Sequence, residues 1–118
     1  MKTFGHLGGL MLVGTLLSGC ASSQLASEQA LEEARLSFQS VKEDPSVLRA
    51  APKDVIRAGE LLGRAERLSS YWGSGDDVRH YAYLSQRYAE IARQHSDISL
   101  NQERAAKLEL ERQRLQLT

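Results

Sequence analysis

Apolar residues follow two different patterns along this chain. Residues 7–17, LGGLMLVGTLL, form one nearly continuous apolar run. After residue 23 the apolar positions return at steps of three and four, the spacing of one face of an α-helix. Ala26, Ala30, Ala34, Phe38 and Val41, widened by Leu31, predict a first helix over residues 23–42. Glu43-Asp44-Pro45-Ser46 ends it, because proline cannot continue the backbone ladder and pushes Asp44 away from helical angles. Residues 46–51 read as a connector or a single helical turn. Pro52 suits the first position of a second helix, over residues 52–71. Val55, Ala58, Leu61, Leu62, Ala65, Leu68 and Trp72 make its apolar face. Gly73-Ser74-Gly75 breaks it. A third helix starts near Asp76, where two acids suit the positive end of the helix dipole. Its stripe is Val78, Tyr81, Ala82, Ser85, Tyr88, Ala89 and Ala92. Neither Gly nor Pro follows Gly75, so the helix is predicted to run on to residue 113 or so, on the order of 55 Å at 1.5 Å per residue.

Spacing of small residues predicts how the helices meet. Ala58 and Ala65 are seven apart, as are Ala82 and Ala89, so two antiparallel helices can approach closely along both pairs. The three-residue break makes these helices a hairpin. Gly59 and Gly63 form a G-x-x-x-G, but Glu60 and Arg64 beside them exclude a membrane helix and leave close helix approach as the reason. The first helix is predicted to pack across the hairpin. The fold class is therefore all-α: a three-helix up-down arrangement, a helical hairpin plus an N-terminal helix, with a long C-terminal helix. Residues 24–100 make the helical domain. Residues 101–118 are a charged extension. Leu108 and Leu115, and Leu110 and Leu117, recur at seven, so this extension reads either as a partner-binding coil or as a solvated tail.

The apolar run at the start has a different meaning. Lys2 precedes it and small residues close it, the layout of a secretory signal too short to span a bilayer. Leu17-Ser18-Gly19-Cys20 resembles the bacterial lipoprotein lipobox. That resemblance implies cleavage between Gly19 and Cys20 and acylation of the Cys20 thiol with diacylglycerol and an N-acyl chain. Residues 1–19 are then the signal peptide, and removing them from 118 leaves 99. Residues 20–23 are the lipidated Cys and a short tether. Each buried CH₂ contributes about 0.8 kcal/mol, so several acyl chains hold a protein on a membrane persistently. Ala21, rather than Asp, follows the Cys; by analogy with lipoprotein sorting this favours the periplasmic face of the outer membrane.

Composition removes several classes. Fifteen basic and fifteen acidic residues give zero net charge, which argues against a nucleic-acid partner. A single Cys excludes an internal disulfide and a multi-Cys zinc site. His80 and His95 are fifteen apart on one predicted helix and cannot share a metal. No nucleophile elbow, metal-binding H-E-x-x-H or phosphate loop occurs. Neither an enzyme nor a cofactor is expected. The aromatics stand out instead. Tyr71, Trp72 and Tyr83 are the candidate interaction surface, with Trp72, Tyr81 and Tyr88 also able to close the end of the core.

The lipobox, the Ala-rich first helix, Ala51-Pro52 opening a helix with Ala58, Leu62, Ala65 and Leu68, and Gly75-Asp76 opening a third together resemble the small bacterial lipoproteins grouped as domain of unknown function 4398. The resemblance implies an outer-membrane lipoprotein without known catalytic residues, often encoded near or fused to an OmpA-like peptidoglycan-binding domain. No segment here resembles that domain's wall-binding motif. Two functions follow as expectations. One is a structural or interaction module for cell-envelope partners, OmpA-like peptidoglycan-binding proteins among them, with self-association along the third helix. The other is a module that binds cell-wall glycan or lipid through the aromatics near Trp72.

Overall fold

A computed structural model describes residues 10–118, with side chains from Ser22 onward. Among these residues there are four helices and no strand: α1 (Leu10–Lys42), α2 (Pro45–Ala50), α3 (Pro52–Leu68) and α4 (Gly75–Gln116). The expectations for Lys2 and the start of the apolar run lie outside the described residues. Gly19 and Cys20 fall within the backbone of α1, and their side chains lie outside the described set.

Two clusters of buried side chains set the topology. Val41, Val55, Ala58, Ala89 and Ala92 meet in one, with Val47 and Ala51. Leu31, Ala34, Leu62, Ala65, Val78 and Ala82 meet in the other. From the second cluster to the first, residue numbers rise along α1 and α4 and fall along α3. Helices α1 and α4 are therefore parallel, and α3 is antiparallel to both: an up-down-up bundle, as predicted. Phe38 packs against both clusters and joins them. Ala58, Ala65, Ala82 and Ala89 are all buried, and their small size lets α3 and α4 close on each other. Ser85 occupies the same interface fully buried, and its hydroxyl donates to the Ala58 carbonyl at 2.8 Å. That bond satisfies a polar group that would otherwise be costly to bury.

Several expectations need correction. Residues 45–50 form a real helix, α2. Asp44 is its N-cap, with a carboxylate oxygen accepting from the Ser46 N–H at 2.9 Å, and Pro45 stands at its start. The same proline that stops α1 thus opens the next helix. In α1 the buried face runs through Ser27, not Ala26, which is exposed. The Ser27 hydroxyl folds back onto the Gln24 carbonyl at 2.8 Å, so it can be buried while bonded. Residues 20–23, read as the lipidated Cys and a short tether, lie within the helical backbone of α1, and no Gly or Pro falls between Gly19 and Pro45. Helix α3 ends at Leu68, short of Trp72, which is fully solvent-exposed rather than on the core face.

Polar contacts tie the helices from outside. Arg35 of α1 reaches Glu66 of α3 at 2.9 Å, His95 of α4 meets Asp54 of α3 at 2.8 Å, and Arg49 of α2 meets Glu103 of α4 at 3.3 Å. Exposed pairs of this kind contribute at most about 1 kcal/mol each. Donating to the Glu66 carboxylate holds the Arg35 guanidinium above its already high ordinary pKa, so on the alkaline side Arg35 keeps its charge in this contact until strong alkali.

Candidate interaction surfaces at the two ends of the bundle

The first surface is the α3–α4 turn. Its backbone closes through Tyr71 N–H to the Leu68 carbonyl at 3.0 Å and Val78 N–H to the Ser74 carbonyl at 2.9 Å. The Ser74 hydroxyl lies within bonding distance of two carbonyls, Leu68 at 2.5 Å and Tyr71 at 2.6 Å, and its single proton serves one at a time. Gly73 adopts φ +81°, a left-handed angle that a side chain would strain. These constraints hold Tyr71 and Trp72 at the apex. Trp72 is 103% exposed relative to a reference tryptophan and Tyr71 is 69% exposed. Beside them is an open groove of about 410 Å³, whose opposite wall is a stretch of α1 made by Ser23, Gln24, Ser27, Glu28 and Leu31.

Tyr83 does not join this cluster. It lines a separate groove of about 330 Å³ between α1 and α4, with Ser37, Ser40, Gln86, Arg87, Glu90 and Arg93. It lies eight residues into α4, about 12 Å along the axis from the turn. The predicted aromatic surface is thus divided: Tyr71 and Trp72 share an end, and Tyr83 (58% exposed) sits on the flank. Tyr81 and Tyr88 are half-buried against the core. The Arg64 guanidinium stacks over the Tyr81 ring at 4.4 Å. The sequence reading missed the α1 wall opposite Trp72. No motif marks Ser23 or Ser27; only the parallel packing of α1 on α4 brings them there.

The second surface is the far end of α4. Residues 101–118 are all exposed, and helix continues through Gln116. Beyond the Arg49–Glu103 contact, α4 runs without cover from the other helices. Leu108, Leu110, Leu115 and Leu117 are exposed along it. At 100° per residue, Leu108 and Leu115 share one face while Leu110 and Leu117 share a nearly opposite one. Arg112 binds both oxygens of Glu109 at 3.1 Å, so part of the local charge is neutralised within the helix.

The family described as Domain of unknown function (DUF4398) matches residues 29–108, from the middle of α1 to Leu108 on α4. This chain belongs to the DUF4398 family. The DUF4398 match takes in α2, α3, the Tyr71–Trp72 turn and Tyr83, and begins after Cys20. The chain matches no curated protein and no solved structure. His80 stacks edge-on against Tyr81 at 5.2 Å between centroids, while His95 bonds Asp54. The two histidines are thus engaged separately, and among the described residues no three acids, histidines or cysteines are placed to hold a metal. Asp76 and Asp77 lie in the first turn of α4, and Asp76 is paired with Arg79. No helix among the described residues is long and apolar enough to cross a membrane.

Proposed function

We propose that this DUF4398 protein is a lipoprotein acylated on Cys20, held on the periplasmic face of the outer membrane, and that it works as a non-catalytic interaction module for envelope partners. The observation that carries the reading is the uncovered stretch of α4. A helix of 42 residues packs against α3 of 17 residues, so its last turns present leucines that nothing among the described residues covers. Exposed apolar side chains on a regular helix are the material of helix-to-helix recognition. An anchor at the opposite end confines the module to a thin layer, which raises its effective concentration near partners in that layer. The partners this suits are other envelope proteins, OmpA-like peptidoglycan-binding proteins or a second copy of the chain among them.

Photo-crosslinking residues at Leu108 and at Leu110, with Ile56 on the exposed side of α3 as control, test this in intact cells. The expected result is a discrete adduct of defined mass from the α4 sites and none from Ile56. Equal labelling at all three positions, or none at any, contradicts the proposal.

A further inference from the structure

Because α1 and α4 are parallel, the start of the chain's helical body and the α3–α4 turn lie at the same end of the bundle. An ideal Cβ on Gly75 would sit 3.8 Å from the Ser23 hydroxyl. Ser23 and Gln24 face Tyr71 and Trp72 across one groove. Cys20 is three residues before Ser23 in the same helix, a rise of about 4.5 Å. No flexible segment separates them. A residue carrying acyl chains that enter a bilayer must itself lie at the headgroup layer, which is roughly 5–7 Å deep on each side of the hydrocarbon. The turn is therefore carried to that layer by the geometry of α1.

The chemistry of the turn suits that place. Trp and Tyr favour the membrane interface, where an apolar ring and a polar tip meet different surroundings. Residues 68–75, LSSYWGSG, carry no charge in a chain that is 25% charged. Entry into the headgroup layer thus desolvates no ion within the turn itself. Leu25 is also exposed at this end. Asp76 and Asp77 flank the turn, and Asp76 is engaged by Arg79, so attraction to anionic lipid plays little part.

We propose that Tyr71 and Trp72 form a second, non-covalent membrane contact: the turn inserts into the interface of the bilayer that holds Cys20, so the bundle stands on that end and α4 projects away from the surface. This rests on the acylation reading above. Trp72 is the single Trp of the chain, so its fluorescence reports this contact alone. The acylated full chain is reconstituted into phosphatidylethanolamine–phosphatidylglycerol vesicles doped with brominated phosphatidylcholine. The expected result is that the protein floats with the vesicles and Trp72 emission shifts to the blue. Brominated lipid then quenches it, access to acrylamide is lost, and higher salt leaves all of this unchanged. Flotation with an unshifted, acrylamide-accessible Trp72 overturns the inserted turn while leaving the anchor intact. A chain that carries no acyl group and does not float overturns the anchor, and this inference with it. A Trp72 response to soluble peptidoglycan fragments but not to vesicles overturns it in favour of glycan binding. Trp72→Phe, a change at a fully exposed position, must remove the signal and preserve the helical circular dichroism.

Discussion

Two glycines four residues apart show how differently one residue type can be used. A Cβ added at Gly59 would lie 2.9 Å from the Phe38 ring, whereas one at Gly63 would meet only the end of the Arg67 guanidinium at 3.4 Å. Phe38 is packed against both core clusters and has little room to yield; Arg67 is exposed. Gly63→Ala is therefore expected to raise the unfolding temperature, by the equivalent of about 0.5–1 kcal/mol from helix propensity. Gly59→Ala gains the same propensity and loses more by overpacking, which costs about 1–3 kcal/mol, so its unfolding temperature falls. Thermal unfolding followed by circular dichroism separates them; a rise in both would show that α1 is not seated on Gly59. The G-x-x-x-G spacing pointed to close approach at both positions, yet only one has it. Spacing places residues on a face, but which of them meets a neighbour depends on where the partner's large side chain falls. The Ala pairs were legible for the converse reason: seven-residue spacing on both helices makes the match mutual.

At the scale of elements, the periodic stripes of α3 and α4 were read almost position by position, since each helix buries one face against a single neighbouring set. The turn and α2 were less legible. Trp72 continues the apolar steps of α3, but the chain leaves the helix at Leu68, and a pattern of steps carries no information once the helix ends. Asp44-Pro45-Ser46 was read as a stop because proline blocks continuation, while the Asp44 cap shows the same residues serving as a start. The length of α4 was legible from the lack of any breaker. Its last part contributes no burial, so deleting residues 105–118, which keeps the Arg49–Glu103 contact, is expected to change the unfolding free energy by less than about 0.5 kcal/mol. Urea unfolding checks this. A loss of several kcal/mol would mean that the extension is part of the folding unit, and its exposed leucines could not then be reserved for a partner.

The whole molecule has two unlike ends. One joins the Ser23–Ser27 stretch of α1 to an uncharged aromatic turn; the other is a bare helix with leucines on two faces and mixed charge. Zero net charge conceals this asymmetry, because the two signs are interleaved rather than segregated. That ends so different lie on one short bundle follows from the parallel course of α1 and α4, which composition and periodicity do not encode. On the proposed acylation, the single Cys gives the arrangement its direction, since it would decide which end meets the membrane. The most direct test is intact-mass and N-terminal peptide mass spectrometry of the protein extracted from the membrane fraction of cells that make it. The account predicts a chain that begins at Cys20 and carries a diacylglyceryl group and an N-acyl chain. A chain that retains residues 1–19, or one with a free Cys20 thiol, would contradict it.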